Sequence, residues 1–225
     1  MTVVTISRQN GTGSREIAAQ VARLLGYRHF DKWSIIKAAA ELGLSENEVV
    51  DFSEEDYRVS GFLDKLLGRL PQPGLKIPIH KRDGSGTESL TIEQLDQEVC
   101  VDLVRAAVEA ASRQGNMVIL GRGSQAILQG NPHAFHVRIV APLEDRVRRL
   151  MIEQAGLTRA EARNQAADHD RKTAEYLRHV HHIAWDDPTL YHLVLNVGKL
   201  EPEQVASIIA DAVTLVQRSP APVNL

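Results

Sequence analysis

The sequence predicts an α/β protein with an open, mostly parallel β-sheet of about five strands and helices on both faces. Short β-branched apolar runs alternate along the chain with segments of helical apolar periodicity, as repeated strand and helix units require. A glycine-rich turn joins the first such strand to the first helix. Polar residues follow several of the strands, at the position where parallel sheets bind ligands.

The composition is that of a globular protein rather than a disordered or nucleic-acid-binding one. The chain has 225 residues, of which 43% are hydrophobic, enough for one large domain with a core. Its formal net charge is −3, so the chain lacks the excess of basic residues that is typical of nucleic-acid-binding proteins. No run approaches the roughly 18 apolar residues of a membrane span, and Cys100 is the single cysteine. We therefore expect a cytoplasmic protein with neither a nucleic-acid nor a membrane partner, while its oligomeric state stays open.

The segment from Val3 to Gly26 predicts a strand, a turn and a helix. Val3, Val4 and Ile6 are typical of a buried parallel strand that ends near Ser7. A helical apolar stripe follows, formed by Ile17, Val21, Leu24 and Leu25. Gly26 stands where a left-handed residue commonly ends a helix.

Between this strand and helix lies the glycine-rich loop, residues 8–15, RQNGTGSR. Two glycines allow backbone N–H groups to turn toward an anion that the helix N-terminus also attracts, and the simplest such anion is a phosphate. The spacing matches GxxxxGK[ST] poorly, and GxGxxG fails because Glu16 stands at the third glycine. From spacing alone, phosphate binding, a dinucleotide fold with Asp31 as the ribose-binding acid, and a purely structural turn all stay open.

Further strands are expected at residues 27–31, 117–120, 134–140 and 191–197. Helices are expected at residues 32–42 and after Ser45, whose spacing to Glu48 is that of a capping box. Residues 68–89 hold four glycines and three prolines and predict a long loop or flap. Thr91 and Gln94 predict the start of a helix that closes at Gly115.

The C-terminal third of the chain predicts three helices. Pro142 opens the first, which ends at Gly156, and Pro202 opens the last. Between them, Thr158 and Glu161 form a capping box before an unusually polar segment that runs to about residue 180. Its five basic residues indicate either a solvated face or a lid that clamps phosphates: Arg159, Arg163, Arg171, Lys172 and Arg178. The three histidines that follow do not complete a zinc motif.

In combination, three motifs resemble the cytidylate kinase-like family of the P-loop nucleoside monophosphate kinase superfamily. The opening VTISRQNGTGSREIA is similar to that family's start, and VILGRG at residues 118–123 is the second match. The third is DRKTAEY followed by WDDPTLYHLVLNV. Their order and spacing are more specific than any motif alone.

The resemblance implies a P-loop NTPase-type sheet with a helical lid and an acceptor-binding insertion, all within one domain spanning residues 1–225. The core would comprise residues 1–45, 91–157 and 190–217, the acceptor-binding flap residues 46–90, and the lid residues 158–189. The implied reaction moves the γ-phosphoryl group of ATP, with Mg²⁺, to a nucleoside monophosphate or another small phosphate-bearing molecule.

The resemblance also implies roles for individual residues. Asp31 and Arg122 match positions near the acceptor, where Arg122 could hold its phosphate. Asp170 would orient the lid or touch the acceptor. Arg171 and Arg178 match the lid and would neutralise charge during transfer. The phosphates of ATP would lie against the glycine-rich loop, at Asn10, Gly11, Thr12, Gly13, Ser14, Arg15 and Glu16.

The loop departs from ordinary cytidylate kinases, which resemble GxxxxGKGT there. Ser14 replaces the lysine, a change common in the cytidylate kinase-like family, and Glu16 replaces the threonine that would hold Mg²⁺. Arg8 or Arg15 could supply the missing positive charge, and Glu16 could meet Mg²⁺ directly or through water. The lost lysine keeps open a second interpretation, a nucleotide-binding regulatory protein with little kinase activity. A Rossmann dehydrogenase is the remaining alternative.

Overall fold

The computed structural model describes residues 2–30, 76–82, 88–94 and 97–218. The backbone contacts divide the chain into two compact units, one formed by Met1–Asp31 with Val108–Leu225 and the other by Lys32–Ala107. No helix in the described ranges is both long enough and apolar enough to cross a membrane.

The strands run in chain order as β1 (Val3–Arg8), β2 (Arg28–Phe30), β3 (Lys76–Arg82), β4 (Glu88–Gln94), β5 (Met117–Leu120), β6 (Ala134–Val140) and β7 (Leu193–Asn196). The helices are α1 (Ser14–Leu25), α2 (Gln97–Gln114), α3 (Ser124–Ile127), α4 (Leu143–Glu153), α5 (Arg159–His181) and α6 (Pro202–Arg218), with a 3₁₀ turn at Pro188–Leu190.

Five strands form the main sheet in the order β2-β5-β1-β6-β7, and every pairing in it is parallel. The predicted five-stranded parallel sheet is therefore confirmed. β1 occupies the centre, so the glycine-rich loop leaves the sheet at the middle of its carboxyl edge. This edge is where parallel sheets bind ligands.

One face of the sheet is apolar and carries the core. Val4, Ile6, Val137 and Ile139 are fully buried there, and α1 and α6 cover them with an apolar face each. The core side chains of those two helices include Ile17, Val21, Val205, Ile209 and Val213. The alternate residues of β1 and β6 form the opposite side, here called the polar face, whose polar members are Thr5, Ser7, His136 and Arg138.

In the second unit, two sequence predictions are wrong. Residues 76–82 and 88–89, predicted as part of a loop, lie in β3 and β4, which pair antiparallel with Ile79 opposite Thr91. Thr91 is therefore a strand residue and not a helix cap, and the following helix begins at Gln97. Alternating apolar residues at Ile77 and Ile79 favoured a strand, but Pro78 and the glycines nearby argued against it.

Other expectations differ from the structure only at their ends. The last strand begins at Leu193 rather than at residue 191, and α4 ends at Glu153, before Gly156. The strand at residues 134–140 and the capping box at Thr158 are confirmed. The helix predicted at 32–42, the one after Ser45, and Asp31 lie outside the described residues.

Candidate active site

The glycine-rich loop has the backbone of an anion-binding site. Gly11 and Gly13 adopt left-handed conformations with φ of 79° and 68°, and α1 begins directly after Gly13. Among the described residues, the backbone N–H groups of Gly11, Gly13 and Ser14 have no hydrogen-bond acceptor. N–H groups left open at a helix N-terminus attract a phosphate oxygen.

Helix α4 holds the loop closely from one side. A Cβ atom added to Gly11 would lie 2.8 Å from the carbonyl oxygen of Arg146, so this position admits only glycine without displacement of α4. Within the loop, the Thr12 hydroxyl donates to the Gln9 carbonyl at 2.8 Å. The Gln9 side chain in turn accepts from the Ala141 N–H at 3.1 Å. The loop is thus tied to the chain that follows β6.

An ion pair joins α5 to the same loop. Asp170 accepts a hydrogen bond from the Asn10 N–H at 3.0 Å, and its other oxygen accepts from Arg146 at 2.8 Å. Arg146 also donates to the carbonyl oxygens of Asn10 and Ala141, both at 3.1 Å. Asp170, expected either to orient the lid or to touch the acceptor, therefore lies against the loop. Its carboxylate accepts from the Asn10 N–H group, which could otherwise donate to a phosphate oxygen.

Sequence reasoning missed Arg146, although a signal was present. The residue is 6% exposed and lies between Leu143 and Val147 on the inward stripe of α4. A basic residue at helical spacing within an apolar stripe must find a buried partner. That partner could not be chosen from the sequence, because α5 carries several acidic residues.

Arg122 lies in a tight turn after β5. Gly121, Arg122 and Gly123 all have positive φ, of 71°, 65° and 61°. The Gly121 N–H donates to the carbonyl of Ile6 at 2.9 Å, which holds the turn beside β1. A Cβ atom at Gly123 would lie 2.7 Å from Nε2 of His181, so α5 approaches this turn as well. The turn at Arg122 and the glycine-rich loop therefore follow neighbouring strands of the sheet.

The basic residues of α5 mostly pair with acidic residues on exposed surface. Arg159 and Arg163 both contact Glu144 of α4, and hydrogen bonding to Arg159 is the main cause that lowers the pKa of that carboxyl. Arg171 pairs with Asp168 and with Glu175, and the bond to Asp168 raises the pKa of Arg171. Arg178 contacts its neighbour His179 at 3.3 Å. The structure does not bring Arg171 or Arg178 onto the loop.

The remaining predicted site residues lie around the start of α1. Arg8 is buried, with 9% of its surface exposed, at the end of β1. Arg15 and Glu16 are exposed in the first turn of α1, where the Glu16 carboxylate accepts from Gln20 at 3.3 Å. Within the described part of the chain, no group of three or more histidine, cysteine or acidic residues is arranged to hold a metal.

A second missed residue, Arg138, is buried on the polar face of the sheet. Its Cζ atom lies 4.5 Å from the ring centroid of Trp185 and 5.6 Å from that of Tyr191. Trp185 is 5% exposed, and its indole N–H donates to the Ser7 hydroxyl at 2.8 Å. The segment after α5 thus closes over the end of β1.

Comparison with known proteins identifies the family. The model of the cytidylate kinase-like family matches residues 3–199. A cytidylate kinase from Halobacterium salinarum is 24% identical over 96% of this chain and 91% of its own length. Another, from Methanocaldococcus jannaschii, is 23% identical over 94% of this chain and 97% of its own.

Solved structures agree on the fold. An uncharacterized protein from Eubacterium ventriosum matches with a TM-score of 0.61 and 16% identity, covering 95% of this chain and 99% of its own. A shikimate kinase from Bacteroides thetaiotaomicron matches with a TM-score of 0.50 and 15% identity, covering 95% and 98%. The parallel sheet and its glycine-rich loop are those of a P-loop kinase fold, and the chain belongs to the cytidylate kinase-like family.

Proposed function

We propose that this protein transfers the γ-phosphoryl group of ATP to a nucleoside monophosphate of the cytidylate type or to another small acceptor. The observation that carries this proposal is the glycine-rich loop, with three backbone N–H groups, of Gly11, Gly13 and Ser14, open to a phosphate. Membership of the cytidylate kinase-like family supports the same reaction.

The proposed division of work follows from charge and position. The loop, from Asn10 to Ser14, holds the phosphates of ATP, while Arg122 binds the phosphate of the acceptor from the turn after β5. Arg8 or Arg15 replaces the missing lysine. Phosphoryl transfer depends mainly on positioning and charge stabilisation, so these groups suffice without a covalent intermediate.

The arginines of the proposed lid, Arg171 and Arg178, can contact the phosphates only after they leave their present partners on α5. Arg171 must leave Asp168 and Glu175 before it reaches the transferring group. Both ion pairs are partly exposed, and exposed ion pairs contribute only about 0–1 kcal/mol to stability. Breaking them to move Arg171 therefore requires little free energy. We propose that Arg171 and Arg178 turn toward the phosphates when α5 closes, with Asp170 as the contact that orients the lid.

A magnesium ion fits the first turn of α1. Glu16 offers an exposed carboxylate two residues after Ser14, bonded only to Gln20 among the described residues. Mg²⁺ keeps several waters in such sites and takes one or two carboxylates, so a single carboxylate is enough. When bound, Mg²⁺ supplies positive charge to the phosphate oxygens.

A second candidate function is a nucleotide-binding regulatory protein with little or no kinase activity. The observation that favours it is Ser14, which stands where the P-loop lysine of active kinases would neutralise the phosphates. Its backbone N–H still suits an anion, so binding would survive without efficient transfer.

The test measures ADP formation from ATP and Mg²⁺ across a panel of nucleoside monophosphates and small metabolites, together with ATP binding. We expect acceptor-dependent turnover that falls at least about a hundredfold in Arg122→Ala, because one lost charge contact in a transition state costs this much. Arg113→Ala is the matched control, since Arg113 is exposed and, among the residues with described positions, pairs with Glu109 alone.

Other outcomes separate the candidates. ATP binding without turnover on any acceptor would favour the regulatory protein, and absence of ATP binding would contradict both functions. Unchanged affinity and turnover in Arg8→Ala and in Arg15→Ala would show that neither arginine replaces the lysine.

A further inference from the structure

Arg138 is a buried cation without a carboxylate partner in the part of the chain that the structure describes. Only 5% of its surface is exposed, and none of its nitrogens lies within 4.0 Å of a carboxylate oxygen there. Asp186 and Asp170 are the carboxylates close enough to act on its charge. Asp170 is already bound by Arg146, and Asp186 is exposed to solvent. The positive charge of Arg138 is therefore poorly balanced by the residues that the structure describes.

Two aromatic rings pack on the guanidinium of Arg138 but leave its hydrogen-bonding capacity unused. The Trp185 ring lies over it at 4.5 Å, and the Tyr191 ring lies at 5.6 Å. A ring over the face of a guanidinium does not use the N–H groups, which point outward in its plane. The one hydrogen bond that Arg138 makes within the described ranges is long, 3.4 Å from Nη1 to the Tyr191 hydroxyl. Most of its five N–H groups thus have no protein acceptor among the described residues.

The groups around Arg138 are held in place before any ligand arrives. The Trp185 indole N–H donates to the Ser7 hydroxyl at 2.8 Å, and Ser7 lies directly opposite Arg138 in the sheet. The Tyr191 hydroxyl donates to the Trp185 carbonyl at 2.8 Å. Both rings are therefore fixed relative to β1 and β6, and they fix the plane of the guanidinium.

We infer that Arg138, framed by Ser7, Trp185 and Tyr191, binds a small oxyanion, a phosphate or carboxylate group, along the free edge of its guanidinium. A planar guanidinium fork matches the two oxygens of such a group. Burial lowers the pKa of Arg138 from its ordinary value, and an oxyanion at the edge would offset that effect.

This site is distinct from the glycine-rich loop, because it binds through a side chain on the polar face and not through backbone N–H groups. The inference concerns binding alone and does not rest on phosphoryl transfer. The oxyanion has two sources, free inorganic phosphate or the acidic group of a larger small molecule.

Trp185 itself reports on the site. In a Trp33→Phe variant, Trp185 is the single tryptophan of the chain. Inorganic phosphate and cytidine monophosphate are titrated separately into this variant while the Trp185 fluorescence is recorded. We expect a saturable change that Arg138→Met abolishes and that Arg138→Lys weakens at least about tenfold, because lysine keeps the charge but loses the fork. Arg113→Met is the control for removal of an arginine from exposed surface. A tighter response to the nucleotide than to phosphate would identify the larger ligand as the source, and the reverse would identify the free ion.

Ser14→Asp separates this site from the loop, since a negative charge there repels anions from the loop N–H groups. We expect the Trp185 response to persist in Ser14→Asp. The inference is overturned if the response is intact in Arg138→Met, if it disappears only in Ser14→Asp, or if neither probe changes the fluorescence. Should Arg138→Met fail to fold, an affinity for phosphate equal to wild type in Arg138→Lys overturns it.

Discussion

His136 shows how one buried side chain can make the stability of this protein depend on pH. The residue is 4% exposed on the polar face, where Nδ1 lies 2.7 Å from the Thr5 hydroxyl. Burial and the nearby His192 lower its pKa from 6.5 to about 4. Below pH 6.5 His136 therefore binds a proton in the unfolded chain but stays largely neutral in the folded chain until the pH approaches 4. The free energy of unfolding consequently falls as the pH falls.

We expect this single residue to cost about 1.4 kcal/mol of stability per pH unit below pH 6.5, reaching about 3 kcal/mol near pH 4. His136→Gln removes the titrating group, so the difference in unfolding free energy between about pH 7 and about pH 5 should shrink. Urea unfolding at both pH values measures it. His133→Gln is the control, because His133 is exposed. An equal slope in wild type and His136→Gln would assign the pH dependence to other groups.

At the scale of elements, the docking of α5 on the glycine-rich loop depends on a small number of polar contacts. α5 buries few apolar side chains, among them Ala162 and Ala166, which pack against Val147 and Leu150 of α4. The pair of Asp170 with Arg146 adds a contact in which both side chains are largely buried, with 17% and 7% exposed. Removal of one partner of such a pair leaves the other charge without compensation.

Asp170→Asn should therefore lower the free energy of unfolding by about 2–4 kcal/mol, because Arg146 stays buried without its carboxylate. Asp168→Asn makes the same chemical change on the same helix, where the carboxylate pairs with exposed Arg171, and should cost less than about 1 kcal/mol. Urea unfolding of the two variants gives the comparison. Equal effects would mean that the Asp170 pair does not hold α5 to the loop.

For the whole molecule, the apolar face of the sheet joins the two ends of the described chain in one core. Val4 and Ile6 from β1 share this core with Val205, Ile209 and Val213 from α6. α1 and α6 pack side by side over it. The glycine-rich loop, which connects β1 to α1, is positioned by this packing and not by its own contacts alone.

Ile209→Ala should destabilise the unit by about 2–5 kcal/mol, because Ile209 is completely buried and the change leaves a cavity. The neighbouring Ile208 is 36% exposed, so Ile208→Ala should cost less than half as much. Thermal and urea unfolding measure both. If the two variants lost the same stability, α6 would not pack on the sheet with the face described.

Much of the fold could be predicted because its signals are local. The strand at residues 134–140, the end of α1 at Gly26 and the capping box of Thr158 depend on residues a few positions apart. The antiparallel pair β3 and β4 was missed for the same reason, since proline and glycine are local loop signals that strand pairing overrode.

The sequence by itself determined the five strands of the parallel sheet in their chain order, the glycine-rich turn and the family motifs, since each is set by residue types at short spacing. Tertiary structure alone decided which charges meet. Asp170 reaches the N–H of Asn10 across 160 residues, and Trp185 reaches Ser7 across 178. The partners of Arg146 and Arg138 were likewise decided by tertiary structure. Arg146 is buried on the inward side of α4, and Arg138 is buried on the polar face of the sheet. Such contacts form only when packing removes side chains from water and leaves each buried charge the few partners that geometry permits.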